Sequence, residues 1–371
     1  MNRSLLYTIT FILLPFFSFK SQAQLQTLSG DQISTATLDK FIRKQMDSLG
    51  IPGLSFALIH NGKVVYHRAL GVSNIETKEK VEENSIFEAA SLSKTLFTYF
   101  VLKLVDQQKL NLDTPLYHYL PYPDIAKDTR YQLITARMVL SHTTGFPNWR
   151  YFDKRDEKLY KQGELYLKFT PGTQFSYSGE GYYYLAKVIA KLNNLTITTL
   201  EPIFQAEVAK PLRLKKAWFS SHKYITQHKV KGHIKGKPFD KAWPTSFPEQ
   251  DSTWFEAAGG LHTEALTFSK FLIALMDGQG LSKHMVDEMF KAQVQLDKNS
   301  PHYLYNGDTA WGLGVAIRPI SYGTIYEHGG NNGDAQSGFK INLANHNGYV
   351  FFTNCDQGST FNKNIGALLL R

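Results

Sequence analysis

The sequence predicts a mixed α/β (α+β) fold: an antiparallel β-sheet flanked by helices, built from both ends of the chain, with an all-helical domain inserted between them. Three observations carry that reading. Two β-rich runs, residues 54–60 and 63–70, stand near the amino end and are joined by Asn61-Gly62, a dipeptide suited to a two-residue hairpin turn. Four more strand-like runs occupy the carboxyl-terminal third, at 311–317, 324–328, 338–343 and 349–354, the last two joined around Asn347-Gly348. Between these groups apolar residues recur at helical spacing. The division is a sheet part at about 24–95 and 255–371 and a helical part at about 96–254.

In chain order, residues 1–23 carry Arg3, an apolar run over 5–19, and small residues Ser21 and Ala23 at the spacing a signal peptidase needs. We read a signal peptide cut after Ala23 and a periplasmic or secreted mature protein. The run is short and contains Pro15, so a stable membrane anchor is not expected. A helix is expected over 35–49, followed by the hairpin. From Leu92 to about Leu110 a helical pattern runs through Leu96, Phe100, Val101, Leu104 and Val105. Residues 111–122 hold two prolines and read as loop. Further helices fall at 134–140, with Gly145 as carboxyl cap, and at 181–191, where Tyr182, Tyr183 and Tyr184 read as core. Another covers 200–209, with Thr199 as cap and Pro202 tolerated in its first turn; 266–276 and a short closing helix over 362–370 complete the set. The stretch 221–241 is the most basic, and its glycines and proline suggest a surface loop.

With 371 residues, 43% of them hydrophobic, the chain can bury a sizeable core in no more than two domains. Its net charge of +9 is not gathered into a basic helix with interleaved aromatics, so no nucleic-acid partner is expected. Cys355 is the only cysteine, which excludes an intramolecular disulfide. No HExxH motif or cysteine pair points to a metal, and no cofactor is expected. The expected partner is a small-molecule or peptide substrate, with cell-wall peptides among the candidates.

The chemistry is concentrated in Phe87-Glu88-Ala89-Ala90-Ser91-Leu92-Ser93-Lys94, where an extended segment turns into a helix. Ser91 and Lys94 lie one turn apart on one helix face. A serine hydroxyl needs a base, and a lysine can serve if desolvation or nearby charge lowers its pKa. The helix amino end favours negative charge developing beside Ser91. The competing reading makes Ser91 a helix cap. Ser220-Ser221-His222-Lys223 and Ser337-Gly338-Phe339-Lys340 share the SxxK spacing, but neither opens an apolar helical run. Tyr177 precedes a helix and could relay a proton. His328-Gly329-Gly330 ends a strand and leaves backbone open to a ligand. His142, in Ser141-His142-Thr143-Thr144-Gly145, reads as a structural histidine before a catalytic one.

In this order, Ser91-Leu92-Ser93-Lys94, Tyr177-Ser178-Gly179 and His328-Gly329-Gly330 resemble the motifs of the serine β-lactamase and D-alanyl-D-alanine carboxypeptidase family, particularly its class C and esterase branch. Leu140-Ser141-His142-Thr143-Thr144-Gly145, Pro171-Gly172, Ala258-Gly259-Gly260-Leu261 and Trp311-Gly312-Leu313-Gly314 agree, so the likeness spans roughly residues 35–370. It implies that Ser91 is acylated, that Lys94 and Tyr177 share the proton transfers, and that the amides of Ser91 and Asn331 form the oxyanion hole. Which of Lys94 and Tyr177 is the formal base stays open. Two positions depart from the pattern. Gly179 stands where the family has an asparagine that helps hold the substrate amide, with Glu180 as a partial substitute. His328 stands where β-lactamases carry lysine, and as an imidazolium it would attract a substrate carboxylate until its charge fades through about pH 6–8. The implied function is an exported serine hydrolase acting on a D-amino-acid peptide, an ester or a β-lactam-like substrate. The alternative is a penicillin-binding sensor acylated without turnover.

Overall fold

The computed structural model describes residues 24–154, 157–240 and 250–370. The expected signal segment 1–23 lies outside the described residues, as does the end of the basic stretch at Lys241.

A short hairpin, β1 (Gln24–Gln26) with β2 (Gln32–Ser34), leads into α1 (Thr35–Leu49). Ser34 caps α1 by accepting from the Thr37 amide, Gly50 ends it in the left-handed region, and Leu38, Ile42 and Met46 form its buried stripe. Strands β3 (Gly53–His60) and β4 (Lys63–Gly71) follow. Asn61 and Gly62 both take positive φ, 48° and 68°, as a tight hairpin turn requires. β5 (Phe87–Glu88) runs up to α2 (Leu92–Asp106), which is apolar on nearly every face and buried through the middle of the molecule. Then come α3 (Ala136–Leu140), α4 (Glu180–Leu192), α5 (Glu201–Phe204) and α6 (Lys223–His228). The small pair β6 (His233–Ile234) and β7 (Lys237–Pro238) precedes β8 (His262–Thr263), which pairs with β5. α7 (Ala265–Met276) and α8 (Lys283–Phe290) complete the middle. The last third carries β9 (Val294–Gln295), β10 (Ala310–Trp311), β11 (Ala316–Ile320), β12 (Gly323–Asn331), β13 (Gln336–Asn342) and β14 (Asn347–Thr353), closed by α9 (Gly358–Leu369).

The main sheet has eight strands in the order β4-β3-β14-β13-β12-β11-β10-β9, with every neighbouring pair antiparallel. β3 pairs with β14, so strands from the two ends of the chain lie side by side in the sheet. Both faces are covered. Ala57, Ile59, Phe339, Val350 and Phe352 face a core built on α2 and α7; Leu54, Phe56, Leu58 and Phe351 face a second core under α1 and α9. Alternation along β3 thus feeds two cores, which explains its uninterrupted apolar run.

Several expectations need correction. Residues 311–317 form two strands, because the turn at Gly312-Leu313-Gly314 reverses the chain; Gly314 takes φ 69° and a Cβ there would lie 2.2 Å from Thr98 Oγ1 on α2. α3 ends at Leu140, capped by Ser141, so Gly145 does not cap it. Leu200, not Thr199, precedes the 201–204 helix, and the Thr199 hydroxyl accepts from the Thr196 amide instead. The basic stretch contains α6 and a small strand pair rather than loop alone.

Candidate active site

The site is built around the turn joining β5 to α2. Ala90 is left-handed, with φ of 46°, a conformation costing a non-glycine residue on the order of 1–3 kcal/mol. The turn is held from several sides. The Ala89 amide donates to the Leu261 carbonyl at 2.8 Å, the Leu261 amide donates to Ser93 Oγ at 2.9 Å, and Ser337 Oγ donates to the Ala89 carbonyl at 2.6 Å. Gly330 packs on the same turn so closely that a Cβ would lie 2.5 Å from the Ala89 carbonyl oxygen. Ser91 occupies the capping position of α2, yet its side chain makes no capping hydrogen bond, so the capping reading fails. The serines of the other two SxxK matches have structural partners: Ser220 donates to Glu201, and Ser337 holds the turn.

Lys94 sits behind Ser91, 1% exposed, with Nζ 3.3 Å from Ser91 Oγ and 2.8 Å from the Ala258 carbonyl, to which it donates. The rings of Tyr177 and Tyr182 lie 4.8 and 5.5 Å from Nζ. Burial brings its pKa down to about 7, while the negative charge of Glu256 pulls the other way. Glu256 is itself buried and accepts from the amides of Ala258 and Gly259; burial pushes its carboxyl up and Lys94 holds it back. A neutral amine with one N–H on Ala258 keeps a lone pair for the serine proton.

The Tyr177 phenol hydrogen-bonds with Ser91, and loss of water around it pushes its pKa well above the usual phenol range. Its segment is positioned by His142, whose carbonyl accepts from Ser176 N at 2.8 Å and whose Nδ1 accepts from Ser178 N at 3.1 Å. The structural reading of His142 therefore holds. Its ring lies 4.3 Å from that of Tyr177.

At the departure Gly179, a Cβ would stand 2.3 Å from the Trp149 indole, which occupies the space a side chain at 179 would need. Glu180 cannot replace the missing amide: it is fully buried and takes hydrogen bonds from Arg150 N, Nε and Nη2 at 2.9, 3.0 and 2.8 Å. Asn148, whose Oδ1 accepts from the Gly179 amide at 2.9 Å, lines the cleft beside Ser91 and Tyr177.

That cleft has a volume of about 480 Å³, and its wall brings Ser91 and Tyr177 together with His328, Gly329, Gly330 and Asn331. The last four follow the end of the β11–β12 pairing at Glu327, so this part of β12 has no neighbour on the β11 side. A Cβ on Gly329 would meet nothing within 4 Å. His328 corrects the expectation of a titrating imidazolium. It is 4% exposed, its Nδ1 donates to the Gly329 carbonyl at 2.7 Å, and burial together with Lys94 takes its pKa down to about 3. The ring is neutral through pH 6–8, with Nε2 left as an acceptor. Glu256, Asn148 and Trp149 are the site residues that sequence reasoning missed.

Comparison with known proteins gives the family and the fold. The chain is 25% identical over 229 residues to Protein flp of Staphylococcus aureus strain MW2, covering 57% of this chain and 45% of that one. It is 31% identical over 133 residues to the mouse mitochondrial serine beta-lactamase-like protein LACTB, covering 34% and 23%. It thus spans less than half the length of these curated relatives. Among solved structures, the octameric penicillin-binding protein homologue from Pyrococcus abyssi superposes with a TM-score of 0.72 at 21% identity, covering 87% of this chain and 74% of that one. EstCE1, a hydrolase with promiscuous acyltransferase activity, gives 0.70 at 19%, covering 86% and 93%. Both show the same fold. The Beta-lactamase family model matches residues 38–370, a span holding the Ser91 turn, the Tyr177 segment and the β12 wall alike, and the chain belongs to that family.

Proposed function

We propose that this chain is an exported serine hydrolase that forms an acyl-enzyme on Ser91 and hydrolyses an ester or amide, with D-amino-acid peptides, activated esters and β-lactam-like compounds as the substrate class. The observation carrying this reading is the buried Lys94 amine 3.3 Å from Ser91 Oγ, with a pKa near 7. A large fraction is then neutral at pH 7, whereas Tyr177 stays a phenol. This favours Lys94 as the base that takes the Ser91 proton while Oγ attacks the carbonyl, with Tyr177 passing a proton to the leaving group. The Ser91 and Asn331 amides are the proposed oxyanion donors. Water then attacks the acyl-enzyme and returns Ser91. Export rests on the leader pattern of residues 1–23.

Gly179 offers no carboxamide and Trp149 fills its place, which supports esterase or peptidase action over efficient cephalosporin turnover. Intact-mass measurement after exposure to p-nitrophenyl esters, D-amino-acid amides and β-lactams tests the reading. Transient acylation with continued ester release is expected, and nitrocefin should turn over slowly. A single stoichiometric adduct without turnover on any compound would mark an acylated sensor, and no adduct at all would refute both.

A further inference from the structure

A second cavity, of about 470 Å³, lies between the sheet and α9. It continues the catalytic cleft, since Asn306, Ser359 and Asn362 line both. The charged side chains lining it are Arg318 on β11, Lys340 on β13 and Lys363 on α9, with no acidic side chain among them. Lys340 stands opposite Glu327 in the β12–β13 register and is ion-paired with it. Neither Arg318 nor Lys363 has an ion-pair partner among the described residues. Glu327 and the buried Asp308 face the adjoining end of the cleft instead. At the junction, Tyr349 donates to Asn362 Oδ1 at 2.8 Å, which leaves the Asn362 Nδ2 protons as donors. With Lys340 paired to Glu327, Arg318 and Lys363 are the two cations left without an ion pair among the described residues, and a ligand oxyanion supplies one.

We propose that this cavity is a subsite for an oxyanion, carboxylate or phosphate, carried by the far end of the substrate whose reacting carbonyl sits at Ser91. Arg318 offers a two-pronged contact, Lys363 a point charge and Asn362 an N–H donor. The assignment moves anion recognition away from the neutral His328 to the opposite end of one continuous groove. The substrate class is then an acyl compound with a distal negative charge. That extension rests on the hydrolase reading, whereas anion binding itself does not.

Two measurements test it. Calorimetric titration of the full chain with glutarate and with glycerol phosphate needs no turnover. One of the two should bind, and affinity should fall by about tenfold or more in Arg318→Gln/Lys363→Gln. Whichever anion binds more tightly identifies the oxyanion. The second compares kcat/KM for p-nitrophenyl hydrogen glutarate and p-nitrophenyl butyrate. The anionic ester should be preferred by about tenfold, the preference should collapse in the double variant, and the butyrate value should stay within about twofold. Arg318 is half-buried and Lys363 exposed, and matched thermal melting confirms that the variant is folded. No binding of either anion by the parent, or binding unchanged in the variant, overturns the subsite. If no ester acylates Ser91, the hydrolase reading fails while the calorimetric result still decides the subsite.

Discussion

Lys94 and Lys340 are both buried, at 1% and 6% exposure, and they serve opposite ends. Lys94 donates to a carbonyl and faces Ser91, and Glu256 acts on it only through space. Lys340 is in direct contact with Glu327, and burial together with Arg318 brings its pKa down to about 7 as well, against the negative charge of Asp308. Burial alone therefore does not decide what a lysine does. Both amines are brought near neutral pH by burial, and the neighbour separates them: Lys94 faces the Ser91 hydroxyl, whereas Lys340 is held against a carboxylate in the framework.

The largest expected effects separate the two sites. Lys94→Met should slow acylation by at least ~100-fold, the scale of a lost general base, while changing folding stability by no more than about 1 kcal/mol, since no direct ion pair is broken. Lys340→Met leaves Glu327 buried without its partner and should cost about 3–5 kcal/mol, with neutral-ester turnover per folded molecule nearly unchanged. Urea unfolding and fluorophosphonate labelling of both variants check this. Equal destabilisation by the two changes would break the comparison.

A smaller effect is expected at Gly179. Gly179→Asn drives a side chain into Trp149 and should destabilise by about 1–3 kcal/mol, the usual cost of overpacking, without improving acylation by penicillins. Faster penicillin acylation in this variant would show that the indole yields and that the missing carboxamide was limiting.

The subtlest test concerns Glu256. Its negative charge raises the Lys94 pKa, so Glu256→Gln should move the rising limb of the pH–rate profile to lower pH, by less than about one unit. Glutamine keeps an oxygen to accept from the Ala258 amide. A limb that does not move would mean that burial alone sets the lysine.

Much of this was legible in the sequence, for local reasons. The β3–β4 hairpin follows from Asn61-Gly62, and the Ser91–Lys94 pairing follows from helical periodicity after Leu92. α8 went unread although Ser282 caps it by accepting from Met285 N, and Met285 and Met289 repeat at helical spacing. The break between β10 and β11 had its signal in Gly312-Leu313-Gly314, two glycines astride one residue. Glu256 carried none: a lone carboxylate after Phe255 matters only because tertiary folding brings it near Lys94. Trp149 was equally silent, because its role is to fill the space left by a glycine from another segment. The neutrality of His328 depends on burial and on the Gly329 carbonyl, neither of which the motif encodes.

The central claim is that a buried, largely neutral Lys94 activates Ser91, and its most direct test is the pH dependence of the rate at which a fluorophosphonate labels the peptide containing Ser91. The account predicts a rate that rises through about pH 7 and levels off above it, since the reactive amine is the deprotonated form. A rate that climbs without a plateau towards pH 10, or a label on any residue other than Ser91, would contradict it.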